Sequence, residues 1–267
     1  MFVSVGGVQN AGLCESNDPG FYATVHERFS TWDANKDGVL TADEIVSRFQ
    51  NPNCRGRGAA AIAVLNQMET GHLMKKEPLE SFTLDKFEKM EAEAKAGHDK
   101  NQNRYGVCLK RINERPKVLF VHELPQIDGT SQHSTNDCYF LSVVASLSRQ
   151  RPKDLMRLIE DNGDGSYTVC FYGADPIKVG CVSDAEISSY VSSDDGLWLP
   201  ILLKAFGKLG LKKKWNNHDA TPIHEDPLET MSIHGGNCAP VVGFLSGHAV
   251  NSKKPQEIAG NIRMLWR

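Results

Sequence analysis

The chain has 267 residues, 40% of them apolar, and carries 30 Lys and Arg against 33 Asp and Glu. This suffices for one large or two modest domains with buried cores, and the formal charge of -3 gives no electrostatic reason to expect a nucleic-acid partner. No stretch approaches the roughly 18 apolar residues of a membrane span, the N-terminal MFVSVGGVQNAG lacks the basic lead of a secretory signal, and seven cysteines form no C-x-x-C pair or zinc pattern, so a cytoplasmic protein is expected.

Phe21, Val25, Phe29 and Trp32 recur at helical spacing and predict one apolar helix face. Directly after it comes Asp33-Ala34-Asn35-Lys36-Asp37-Gly38-Val39-Leu40-Thr41-Ala42-Asp43-Glu44. Asp33, Asn35 and Asp37 offer alternate side-chain oxygens, Gly38 permits a sharp turn, and Val39 contributes a carbonyl. Thr41 can act through water and Glu44 can close the set with both carboxylate oxygens. A hard cation takes about six to eight oxygens in such a wrap, so these six residues are the expected Ca2+ ligands. Ile45, Val46 and Phe49 supply the exit helix.

A third helix is predicted over 58–68, and Phe82, Phe87 and Met90 mark a fourth, capped by Thr83 or Ser81. Between them, 75–86 has the length of a second loop, but Lys75 and Lys86 stand where its terminal ligands would be. Such a loop binds no ion and props up the first. The polar run AGHDKNQNR then reads as a linker. The boundaries so drawn are 18–95 for a helical pair, 96–107 for the linker and 108–267 for a second unit.

In that unit, 117–122 includes the apolar run VLFVH and is predicted as a strand. Residues 139–147 read as a helix, 155–160 as a short helix, and Asp161-Asn162-Gly163-Asp164-Gly165 as a turn feeding a strand. A further strand is expected near 177–182, and an amphipathic helix over 197–209 packs through Trp198, Ile201, Leu202, Ala205, Phe206 and Leu209.

Cys138 opens the 139–147 helix, with Gln132 six residues earlier. A thiol nucleophile needs a lowered pKa, a base and oxyanion donors. The helix start favours thiolate, and the Gln132 amide with the Cys138 backbone N–H could hold an oxyanion. Taken alone, the cysteine reads more readily as a core thiol than as a nucleophile, and Gln132 with the polar lead-in brings the two readings level.

The 33–44 loop resembles those of the EF-hand family. Gln132, Asp137-Cys138, the large aromatic Tyr139, and Leu197-Trp198-Leu199-Pro200 running through Lys208-Leu209 resemble the calpain family of papain-like cysteine proteases over 108–267. Two departures are His133 for the usual glycine and Leu203 for the usual glutamate. The resemblance implies an α+β fold, an all-helical EF-hand module followed by a calpain-like cysteine protease subdomain. It also implies peptide-bond hydrolysis through a Cys138 acyl-enzyme assisted by Gln132, with a protein or peptide as substrate. Its histidine and asparagine have no clear place. His248 lies in a G-H-A context and Asn261 lacks the expected motif. Aligning Gly235-Gly236 and 241–247 with the segment before the histidine subdomain makes His248 a bystander, with only the nucleophile side of the cleft present. The alternative expectation is a catalytically incomplete, calcium-binding regulatory or interaction protein.

Overall fold

The α1 helix, Gly20–Trp32, buries Phe21, Val25, Phe29 and Trp32 together. In this computed structural model the described residues are 18–74, 81–94, 99–127, 130, 137–189, 194–213 and 236–250. α2 (Ala42–Phe49) starts at Thr41, whose hydroxyl accepts from the Glu44 N–H while the Glu44 side chain accepts from the Thr41 N–H. This reciprocal cap satisfies two donors that a helix start otherwise leaves unpaired. α3 (Gly56–Met74) is longer than the sequence predicts. Its run Ala59, Ala60, Ala61, Ile62, Ala63, Val64 and Leu65 is fully buried, so it packs on all sides rather than through one face. α4 (Leu84–Ala94) begins after Thr83, whose hydroxyl accepts from the Lys86 N–H at 3.3 Å.

α5 (Lys100–Glu114) occupies much of the interval read as a linker. Asp99 caps it by accepting from the N–H groups of Asn101 and Gln102 at 2.9 and 3.0 Å. Tyr105, Cys108 and Ile112 form its buried stripe against α3.

Residues 115–127 contain no strand, contrary to the reading of VLFVH. The backbone there bonds to a turn before the 198 helix instead. Val118 O accepts from Leu197 N–H at 2.9 Å, Leu119 O from Trp198 N–H at 3.1 Å, and Val121 N–H donates to Asp195 O at 3.1 Å. Gly196 sits at φ +106°, where an added Cβ would lie 2.6 Å from Val118 O, so the close approach requires glycine. The buried Asp195 carboxylate secures the same loop, accepting from the N–H groups of His122 and Gln126 at 3.0 and 2.6 Å.

α6 (Cys138–Gln150) is followed by α7 (Pro152–Arg157). Then comes an antiparallel meander of β1 (Ile159–Asp161), β2 (Tyr167–Val169) and β3 (Ile177–Val179). Ile159 pairs with Val169 and Tyr167 with Val179. The turn between β1 and β2 is made by Gly163 and Gly165 in the left-handed region, with Asp161 and Asp164 accepting from nearby N–H groups. α8 (Asp184–Ser189) packs between α3 and α5, α9 (Trp198–Lys213) covers the sheet, and α10 (Cys238–Ser246) packs on α6. One apolar core runs from Phe21 to Leu245.

This architecture corrects the expected fold class and the calpain-like assignment. The described residues form ten helices and one three-stranded sheet whose strands have three residues each. A papain-like unit needs a substantial β-sheet core, and the sheet here is too small to be one. No helix among the described residues is long and apolar enough to cross a membrane.

Candidate functional site

The 33–44 loop is fixed at both ends by helices and in its middle by backbone. Asp33 N–H donates to Phe29 O at 2.9 Å, closing α1. Gly38 turns at φ +79°, and its N–H donates to Asp33 Oδ2 at 2.9 Å. Lys36, at φ +61°, adopts a conformation uncommon for a non-glycine residue. Asn35 Oδ1 accepts from Asp37 N–H at 3.0 Å, and Asp37 Oδ1 accepts from Val39 N–H at 2.8 Å. Leu40 forms an antiparallel bridge with Phe82, exchanging hydrogen bonds of 2.7 and 3.1 Å. The loop is thereby tied to the segment before α4, and both residues are fully buried.

Glu44 reaches back across the loop. Its Oε1 accepts from Ala34 N–H at 2.8 Å, and its Oε2 accepts from the Thr41 N–H and hydroxyl at 2.9 and 2.8 Å. Burial pushes its carboxyl pKa up, but donation from Thr41, Ala34 and Asn35 outweighs that and holds it below its ordinary 4.5. A carboxyl lowered by folding stabilises the fold above its unfolded pKa, and this contribution fades as pH falls through the folded value. Acidification below pH 4.5 is therefore expected to release the Ala34 and Thr41 amides. Their NMR shifts and exchange rates follow that release, and Glu44→Gln removes the transition. An unchanged transition in the Gln variant would assign it to another carboxyl.

One feature of this loop was not visible in the sequence. Asp33 is 5% exposed, and its Oδ1 is buried with no hydrogen-bond partner. The spacing singled out Asp33 but could not reveal that one of its oxygens is desolvated and unpaired. The expected ligand residues share this one loop. Even so, no three or more His, Cys, Asp and Glu side chains among the described residues are already gathered at metal distance. The physical reason lies in Glu44, which spends its carboxylate on the loop backbone and on the α2 cap.

Cys138 is exposed at the first position of α6, and the buried Asp137 precedes it. Gln132, Asn136 and Asn261 lie outside the described residues, as do His218, His224 and His234. The imidazoles at His122 and His248 are engaged elsewhere. His122 Nδ1 lies 2.5 Å from Asp195 Oδ1, and His248 Nε2 lies 2.6 Å from Arg151 Nη1. Arg151 caps the C-terminal end of α6, a helix of 13 residues that begins at Cys138. At about 1.5 Å per residue, the Arg151 backbone lies roughly 20 Å along α6 from Cys138, and His248 is bonded to the Arg151 side chain.

The assignment as a cysteine endopeptidase is corrected on this ground. General-base activation needs an imidazole within hydrogen-bond reach of the sulfur, and the described residues bring none to Cys138. The terms thiol protease, hydrolase and calcium-dependent peptidase fall with it.

No family model matches the chain, and no curated protein or solved structure matches it either.

Proposed function

We propose that the chain is a non-catalytic, calcium-binding protein of the regulatory or interaction class, with the ion held at 33–44. The carrying observation is Asp33 Oδ1, a carboxylate oxygen buried without a hydrogen-bond partner. Such an atom is costly in a protein interior unless something offsets its charge. Asp33, Asn35, Asp37, Glu44, the Val39 carbonyl and Thr41 make a hard, all-oxygen donor set of the kind Ca2+ takes. A bound Ca2+ supplies the positive charge that offsets the repulsion among the three carboxylates. Phe82 adds support from outside the loop, since its bridge to Leu40 holds the second half in place.

Two features support a regulatory role over a merely stabilising one. Phe49 O, at the far end of α2, accepts from the Ser183 hydroxyl, and Gly56 N–H donates to Asp184 Oδ2 at 3.0 Å. Loop, α2 and α8 are thus linked by consecutive bonds, and α8 leads to the Cys138-bearing half through its contact with α9. The partner in this reading is a protein or peptide that is bound and not hydrolysed. Six described cysteines are free, which fits a reducing, cytoplasmic setting.

Thermal unfolding tests the reading. Calcium at about 100 times its Kd is expected to add about 2.7 kcal/mol, a rise in Tm of several degrees that magnesium does not match and a chelator reverses. Glu44→Gln should lose most of that rise while keeping its chelated Tm within a few degrees. Equal Tm values with calcium and with chelator would end the proposal.

A further inference from the structure

Two exposed cysteines begin two packed helices. Cys138 opens α6 and Cys238 opens α10, where Asn237 caps the helix by accepting from Ala239 N–H at 2.9 Å. The helices run parallel. At their starts Cys238 Sγ lies 3.6 Å from Ser142 Oγ, and at their ends His248 meets Arg151. Ser142 stands four residues after Cys138, so the two share a face of α6 with Cβ atoms about 5–6 Å apart. Gly236 lies on the Tyr139 ring, where an added Cβ would come within 2.4 Å of the ring edge. Cys238 therefore touches the residue one turn beyond Cys138, and Gly236, two residues before it, lies on the residue next to Cys138.

We propose that Cys138 and Cys238 are a redox-active dithiol that closes to a disulfide when a hydroperoxide oxidises it. The Cys138 thiolate attacks the peroxide O–O bond, forming a sulfenic acid and releasing hydroxide, or an alkoxide from an organic peroxide. The Cys238 thiolate then attacks that sulfur, the S–S bond forms and a second hydroxide leaves. Both leaving groups take up protons, so the two thiols supply two electrons and two protons, and the peroxide is reduced to two waters, or to water and an alcohol. Bridging requires Cβ atoms about 3.5–4.5 Å apart, which asks Cys238 to move along α6 toward its start. It is the first residue of its helix, preceded by extended backbone at Asn237, so that shift leaves the rest of α10 in place. The bond would fasten α10 to the start of α6 and close a loop from residue 138 to 238.

Other cysteines serve as internal controls. Burial pushes the Cys54 thiol up to about 11 and raises that of Cys108, so neither is a competent thiolate near neutral pH. The proposal does not depend on the calcium reading, and its test is run in chelator.

The full chain is treated with stoichiometric hydrogen peroxide, unfolded and blocked with N-ethylmaleimide in denaturant, and digested without reductant. The expected product is a linked Cys138–Cys238 peptide in most molecules, reversed by dithiothreitol, with Cys54 and Cys108 still alkylated. Cys238→Ser should instead leave Cys138 as a sulfenic acid that dimedone traps. Cys138→Ser should slow oxidation of Cys238 at least tenfold. Conversion of both cysteines to sulfinic acid without a link, or pairing of Cys138 with Cys170 or Cys181, would overturn the assignment.

Discussion

Lys204→Met is expected to cost about 3–5 kcal/mol of unfolding free energy, the loss typical of breaking a buried pair on one side. Lys204 Nζ lies 2.7 Å from Glu186 Oε1, with side chains 7% and 0% exposed. The variant keeps the length of the side chain but takes the Lys204 charge away from the buried Glu186 carboxylate. Glu186 also builds the start of α8, since its Oε2 accepts from Ser183 N–H at 2.8 Å while Ser183 Oγ accepts from Glu186 N–H at 3.0 Å. The loss should therefore extend to the bond between Ser183 and Phe49 O, and so to the joint between the two halves. Urea unfolding measures it. The double replacement Glu186→Gln with Lys204→Met should recover at least half the loss, because the buried carboxylate charge is gone. A single-variant loss below about 1 kcal/mol, the range of exposed pairs, would mean that the pair is hydrated and is not what holds α8 to α9.

Phe206→Ala is expected to be of similar size, about 3–5 kcal/mol. The ring is 1% exposed. It meets Phe140 at 4.8 Å, Phe171 at 5.9 Å, Phe244 at 6.3 Å and Tyr139 at 6.4 Å between centroids. One side chain on α9 thus joins α6, the segment after β2 and α10. Its removal leaves a void between elements far apart in sequence, which cannot collapse without moving a helix. Val107→Ala on α5, 47% exposed in the native state, is the matched control and should stay within about 0.5 kcal/mol. If Phe206→Ala fell in the same range as the control, the aromatic cluster would not be the centre of the second half's packing.

Where apolar spacing controls packing, the sequence was easy to read. Phe21, Val25, Phe29 and Trp32 on α1 mark a buried face, as do Trp198, Ile201, Leu202, Ala205, Phe206 and Leu209 on α9. The Asp161 to Gly165 turn was legible for a related reason, since aspartate and glycine act locally there. α8 left no such trace. All six of its residues are buried, Asp184, Glu186 and Ser188 included, so it has no amphipathic pattern. Its two carboxylates are met by the tertiary structure, Asp184 by Lys117 and Glu186 by Lys204. The capping sequence Ser183-Asp184-Ala185-Glu186 was the available local signal. α5 was hidden by its polar first turn, although Asp99 as a cap and Tyr105, Cys108 and Ile112 at helical spacing mark it.

The site was legible in part and misread in part. The 33–44 spacing located a loop held by two helices, but not the burial of Asp33 Oδ1 or the bridge from Leu40 to Phe82. Around Cys138, the motif suggested catalysis because a helix-start thiol suits it. Sequence proximity could not show that His248 is bonded to Arg151 at the other end of α6. Nor did it suggest that Cys238, a hundred positions later, stands beside Ser142.

The account rests most heavily on calcium binding at 33–44, and the Gly38 amide resonance tests it most directly. Gly38 N–H donates to Asp33 Oδ2, the carboxylate whose other oxygen has no hydrogen-bond partner. A cation engaging Asp33 must change the polarisation of that hydrogen bond. In a calcium titration followed by NMR, the Gly38 amide is expected to shift strongly and to saturate at one ion per chain. The Leu40 amide, in the bridge to Phe82, should follow with the same midpoint. A Gly38 amide that stays in place through millimolar calcium would contradict the account.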